Sequence, residues 1–330
     1  MHHEHTMDEH RHITPELLAK VEALYDQGLY LDAFQESQKA GPLHEWRGAE
    51  GLILAGRLAN NLGNPRLGHA LHFQASRRHG ERAHVLYWRA RHMAGRRGPL
   101  AAWRFVESVG EHAEFTAGQR ADWYSLCGNL QAHFRDFDAA EQWFKKALEM
   151  APDHRWTLIE RTYALQAQDL YEEALAMAQS SLASQPFYRP GVQAAAHLLT
   201  LLSRDEEALA LLRAAADAIQ SGDILAQLAG LQIELDDQRG AVETLRRIER
   251  FWPLADKAQR HWLKCSQIDA AYHSGDIADA RARLADFKPR RKGEDFFVTL
   301  AARLNDGKAY RRKKLSVPFV RQHWVTCMPA

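Results

Sequence analysis

The residues best suited to covalent chemistry stand at the end of this 330-residue chain, in the segment VPFVRQHWVTCMPA (317–330). A cysteine thiolate is a strong nucleophile, and Cys327 would become one where a helix N-terminus or a neighbouring imidazole lowers its pKa. Gln322 stands five residues earlier. Its side-chain amide could donate to the oxyanion that develops on an attacked carbonyl. The residues leading to Gln322 are strand-prone, and Pro318 marks an edge or a strand end. A thiol alone is mostly protonated at neutral pH, so such a pair also needs a His, oriented by an Asp or Asn.

This ending resembles the opening of papain-like cysteine peptidases of the bacteriocin-processing (double-glycine leader) type. The resemblance covers about the last fifteen residues. It differs from the usual pattern in an interval of five where six is common, and in Met328 where a Gly often follows the Cys. It implies that Cys327 is the nucleophile and Gln322 the oxyanion donor in a longer parent chain, with the His and the Asp or Asn encoded beyond Ala330. The 330-residue chain is then expected to be inactive by itself.

The elements that would position such a site are helical. Ala140, Ala174 and Ala208 recur every 34 residues, and Pro152 and Pro186 repeat the interval. The best single copy is Ala121–His154. Gly128, Ala140, Phe144, Ala147 and Pro152 there stand where the tetratricopeptide repeat, a 34-residue helix–turn–helix unit, has Gly, Ala, Phe, Ala and Pro. The frame extends along the chain. Close-approach sites fall on Gly56, Ala90, Gly128, Thr162, Ala196 and Ala229, where a small residue lets the second helix approach. The second-helix positions run from Ala33 and Gly68 through Ala102 to Ala241 and Ala280. Turn glycines at Gly28, Gly63 and Gly275 close first helices in a left-handed residue. Longer spacings near Gly110–Gly118 and Trp252–Lys257 predict lengthened loops between repeats.

The predicted fold is therefore all-α: a right-handed α-solenoid of about eight tetratricopeptide-like helix pairs over 13–287. A helical bundle with coincidental periodicity is the alternative. Residues 1–12, with His2, His3, His5, His10 and His12, read as a frayed His-rich terminus. Residues 288–309 read as a capping helix and linker, with Phe296, Phe297, Leu300 and Leu304 on one apolar face. Residues 310–330 turn to strand periodicity, the truncated start of a peptidase-like domain.

A solenoid of this kind leaves a concave groove lined by the first helix of each pair. Carried over by register, the groove positions fall on Arg57, Asn60 and Asn61, then on Tyr87 and Arg91, then on Asn129 and His133. Further on they fall on Trp156, Tyr163 and Gln166, and on Gln193 and His197. Aromatic, arginine and amide side chains suit an extended peptide or a protein segment; Trp156 and Tyr163 packing on neighbouring helices is the plainer reading. A net charge of +1 gives no global field toward nucleic acid or anionic membrane. The basic runs at Lys288–Lys292 and Arg311–Lys314 read as solvated faces. Three cysteines argue against a disulfide framework and for a reducing, cytoplasmic setting. No stretch is apolar enough to cross a bilayer. No Gly-rich phosphate loop or zinc-type His pair appears, so no cofactor or metal is expected.

Overall fold

A computed structural model describes residues 13–287 and 295–305, which form 17 α-helices and no strand. Gln322, Cys327, the His-rich terminus, both basic runs and the strand-prone tail lie outside the described residues.

The helices come in consecutive pairs. The first three pairs are α1 (Pro15–Asp26) with α2 (Tyr30–Ser37), α3 (Ala49–Asn61) with α4 (Pro65–Arg78), and α5 (Ala83–Arg97) with α6 (Pro99–Val109). Next come α7 (Ala117–His133) with α8 (Phe137–Met150), α9 (Arg155–Gln166) with α10 (Tyr171–Ser180), and α11 (Arg189–Leu201) with α12 (Asp205–Ala218). The last are α13 (Gly222–Glu234) with α14 (Gln238–Phe251) and α15 (Lys257–Ser274) with α16 (Ile277–Ala285), followed by α17 (Asp295–Asn305). The described residues thus form an all-α solenoid of eight helix pairs and one further helix.

The sequence explains where helices start. Thr14 caps α1 ahead of Pro15 at its first turn, Asn64 does the same ahead of Pro65, and Thr116 with Gln119 closes a reciprocal capping box on α7. Asp136 and Asp276 cap α8 and α16. The small residues sit where the helices touch. Ala33, Ala90, Ala102, Ala174, Ala208, Ala241 and Ala280 are all fully buried. A Cβ on Gly128 would lie 2.5 Å from Phe144, which is itself buried, so the glycine is what admits the ring. Loops join the pairs at 110–116 and 252–256, but the longest connections between pairs are 38–48 and 181–188, which the spacing did not announce.

The described residues divide into two compact units. The first comprises those up to Ile224 together with Phe251–Asp256, and the second Leu225–Arg250 and those from Lys257 onward. In the second, Ile268, Ala271, Ala280 and Leu284 form a core with Leu300 and Leu304 of α17, and Phe287 packs on Phe297 with ring centroids 4.9 Å apart.

In the first unit the solenoid returns to its own beginning. The Gln220 backbone N–H donates to the Gly28 carbonyl at 2.9 Å, and its side-chain oxygen accepts from the Leu31 and Asp32 backbone N–H groups at 2.9 and 3.0 Å. Those two amides open α2, which has no cap of its own. A residue almost 190 positions away therefore supplies the acceptor that helix starts require. Gln185 Nε2 donates to the Asp26 carbonyl at 2.7 Å. Beside these, Leu254 and Asp256 donate to the carbonyls of Leu62 and Gly63 at 3.1 and 2.9 Å. Gly28 has a φ of +78° and faces Ile219 so closely that a Cβ would lie 2.7 Å from its Cγ2.

Candidate functional site

The first helices of successive pairs in the first unit wall a cavity of about 670 Å³. Six of the residues named by repeat register line it: Arg57, Asn60 and Asn61 on α3, Tyr87 and Arg91 on α5, and Trp156 on α9. Gln193 stands behind its wall as partner of the lining Arg189, and Asn129 bonds Glu160, which in turn pairs with the lining Arg91. Tyr163, His133 and His197 are exposed on the same helices and are not among the lining residues; Gln166 bonds His197 at 3.0 Å.

Arg91 is the best-tied cation. Its guanidinium lies 4.7 Å over the Trp156 ring and donates to Glu160 Oε1 at 2.6 Å and to the Tyr87 hydroxyl at 3.2 Å. Glu160 is 2% exposed, and its other oxygen accepts from Asn129 Nδ2 at 2.5 Å. A buried carboxylate persists only when paired and hydrogen-bonded in this way, and removing one partner of such a pair costs about 3–5 kcal/mol.

Arg57 and Arg189 are held more loosely. Arg57 lies 4.3 Å over the Tyr25 ring, with Glu22 and Asp26 each 3.5 Å away. Tyr25 packs on Tyr30 with centroids 5.0 Å apart, and Tyr30 hydrogen-bonds Arg189. Arg189 donates to Gln193 at 2.6 Å and lies 3.7 Å from Asp223. Arg155 stacks 5.0 Å over Tyr188 and, among the described residues, forms no ion pair. Two donors in this wall, Arg189 Nε and Trp156 Nε1, are buried without an acceptor. Each such group carries a desolvation cost of about 1–3 kcal/mol.

Burial shifts the titrating groups. It raises Tyr30 to about 12 and Tyr87 further, against the pull of Arg189 and Arg91 respectively. It pushes the Asp122 carboxyl up to about 6, although Arg91 and Arg57 favour its charged form. His154 is driven down to about 4, so its ring is neutral at pH 7 beside Asp122, 3.5 Å from Nε2. Cys127 is buried with its thiol pushed up to about 12, which makes it a packing residue. No group of three or more His, Cys, Asp or Glu that could hold a metal occurs among the described residues.

The arrangement can grip a polar chain, flank it with rings and meet negative charge with arginine. Several of its residues escaped the register. Glu160 lies on the stripe of Trp156 and Tyr163, Asp122 seven residues before Asn129, and Arg189 four before Gln193. The i, i+4, i+7 rule, filled in between Trp156 and Tyr163 and carried one or two turns toward the N-termini of α11 and α7, would have found them. Tyr25 stands 35 residues before Asn60, at the matching point of the first repeat, whereas Tyr30, on a second helix, carries no such signal and meets Arg189 through the return of the chain.

No protein-family model and no curated protein matches the chain. Solved structures do. Yeast Tom70 is matched with a TM-score of 0.57 at 15% identity, covering 88% of this chain and 58% of that one. A chain of the APC/C hetero-tetramer Cut9–Hcn1 is matched at 0.51 and 14%, covering 88% and 55%. Human IFIT1, solved as a dimer with m7Gppp-AAAA, is matched at 0.56 and 13%, covering 88% and 72%. The chain thus spans less than two thirds of the first two. At such identities the likeness shows the fold alone, an α-solenoid of tetratricopeptide-like helix pairs. Among the described residues no helix is long and apolar enough to cross a membrane.

Proposed function

We propose that the chain is a binding scaffold that holds an extended peptide segment of a partner protein in the cavity of its first unit and does no chemistry there. The observation that carries this reading is the convergence of Arg57, Asn60, Tyr87, Arg91 and Trp156, from three different repeats, on one cavity. Amides satisfy a peptide backbone, while rings and guanidinium groups take its side chains. The matched structures include a hetero-tetramer of two proteins and a complex with m7Gppp-AAAA. The peptide is favoured over the oligonucleotide because Asp26, Asp122 and Asp153 also line the cavity. Repeated phosphates would meet those carboxylates.

Panning a displayed random-peptide library on the 330-residue protein tests this. Selected peptides should lose at least tenfold in affinity for Trp156→Ala, with helical circular dichroism unchanged. Peptides that bind the variant equally well, or a library that yields no binder, would remove the cavity from the account.

A second reading rests on Gln322 and Cys327. In it the solenoid is the N-terminal arm of a papain-like cysteine peptidase, presenting substrate to a domain encoded beyond Ala330 in a reducing cytoplasm. Peptidase activity from the 330-residue chain alone would contradict it, as would a continued chain whose activity survives Cys327→Ala.

A further inference from the structure

The cavity's charges define what it can accept. Its cations are Arg57, Arg91, Arg155 and Arg189, and its lining anions are Asp26, Asp122 and Asp153. Of the cations only Arg91 is closely paired, by Glu160 at 2.6 Å. The carboxylates beside Arg57 and Arg189 stand 3.5 Å or more away, beyond a tight charge-assisted hydrogen bond. Guanidinium donors are therefore in excess at the wall, while the total charge is close to balanced. A ligand bearing one negative charge fits that balance, and a polyphosphate does not.

Asp122 is the group that such a ligand would disturb most. It faces Arg91, Tyr87, Arg57 and Glu160 across the cavity and His154 at 3.5 Å. We propose that the cavity takes up one carboxylate of the bound peptide among Arg57, Arg91 and Arg189, and that Asp122 gains a proton from solvent as it does so. The inference rests on the peptide-binding reading. Its physical basis is competition for the same cations. The entering carboxylate takes the guanidinium groups that keep Asp122 ionised, and the half-buried carboxyl, already at about 6, responds by protonating.

The sign follows. Asp122 is ionised at pH 7.5 and repels the ligand, whereas at pH 5.5 it is mostly neutral. A ligand carboxylate with an ordinary pKa of about 3.5 stays charged throughout. Affinity therefore rises as pH falls. With a midpoint of about 6, the neutral fraction of Asp122 grows at most about 25-fold over that interval. Nearby His154, at about 4, does not titrate in the window.

N-acetylphenylalanine supplies a chain-end carboxylate, N-acetylphenylalanyl-glutamyl amide a side-chain carboxylate, and N-acetylphenylalanine amide neither. Titrating each into the 330-residue protein, by calorimetry in two buffers of different ionisation enthalpy, measures affinity and proton uptake together. At least one carboxylate should bind tenfold or more tightly than the amide, with proton uptake, and the better of the two identifies its source. Asp122→Asn should bind more tightly at pH 7.5, lose its dependence on pH and take up no proton. Arg189→Met should abolish the preference for carboxylate. Equal binding of acid and amide would overturn the proposal while leaving the peptide groove standing. So would tighter binding of inorganic triphosphate or a 5′-triphosphorylated oligoadenylate, or a pH dependence that survives in Asp122→Asn.

Discussion

Gly28→Ala tests the return of the chain on itself. Gly28 lies between α1 and α2 at a φ of +78°, and an added Cβ would lie 2.7 Å from Ile219 Cγ2 and 3.0 Å from Ile219 Cβ. Two costs add. Left-handed backbone with a Cβ costs about 1 kcal/mol, and overpacking a filled contact costs about 1–3 kcal/mol. The expected loss is thus about 2–4 kcal/mol. Gly275→Ala is the control, since Gly275 ends α15 with the same pattern of backbone hydrogen bonds at a φ of +88° but has nothing within 4 Å of the added Cβ. Only the backbone cost of about 1 kcal/mol applies there. The difference between the two variants, read from denaturant midpoints at unchanged slope, isolates the contact between the first pair and the loop after α12. Combining Gly28→Ala with Ile219→Ala should cost less than the sum of the single changes by about 1–2 kcal/mol, because the second substitution removes the offending Cγ2. Hydrogen exchange supplies an independent readout. The Leu31 and Asp32 amides, which donate to Gln220, should exchange faster in Gly28→Ala than in wild type. Equal costs for the two glycines, with an additive double variant, would mean that the turn does not close as described.

Two further outcomes follow from single residues. His72 is buried, bonds the Ile53 carbonyl at 3.2 Å and has its pKa pushed down to about 4 by burial. A depressed histidine stabilises the fold above its unfolded value of about 6.5, and that stability is lost as pH falls toward about 4. The loss amounts to about 3 kcal/mol. His72→Gln should flatten that part of the stability–pH curve, and an unchanged curve would place the acid sensitivity elsewhere. Ser203 carries a Cβ at a φ of +59°. Ser203→Gly should raise the free energy of unfolding by up to about 1 kcal/mol, the left-handed strain relieved less the entropy returned to the unfolded chain; a loss of stability would show the strain to be absent.

The repeat was legible because packing wrote it into residue size. Ala140, Ala174 and Ala208 mark where two helices touch, and no other size fits there without displacing backbone. The turns between paired helices were only half legible. Gly28, Gly63 and Gly275 mark positive-φ residues openly, but Arg135, Asp169, Ser203 and Asp236 also take positive φ at the matching point of their own repeats. Sequence conceals those four, since the surrounding helices impose the turn whatever the residue. The groove-facing stripe was readable one helix at a time, which is why Arg57, Tyr87, Arg91 and Trp156 were named and Glu160, on the same face as Trp156, was not.

Which of those residues meet across the cavity depends on contacts between parts of the chain with no periodic relation. Gln220 meets Gly28, and Gln185 meets Asp26, through backbone carbonyls that any residue could offer. Such pairings leave no pattern of size or hydropathy. Yet they decide the chemistry. With α1 and α2 drawn against the start of α11, Tyr25 and Tyr30 link Arg57 to Arg189, and the groove narrows to a half-open cavity of about 670 Å³. The narrowing strips part of the water from the guanidinium groups and from Asp122, and this partial desolvation is the largest influence on the titration of each. The clasp at Gly28 and the proton affinity of Asp122 are therefore one structural fact seen from two sides. A variant that opens the clasp should let the Asp122 carboxyl fall back toward the ordinary range of an aspartate.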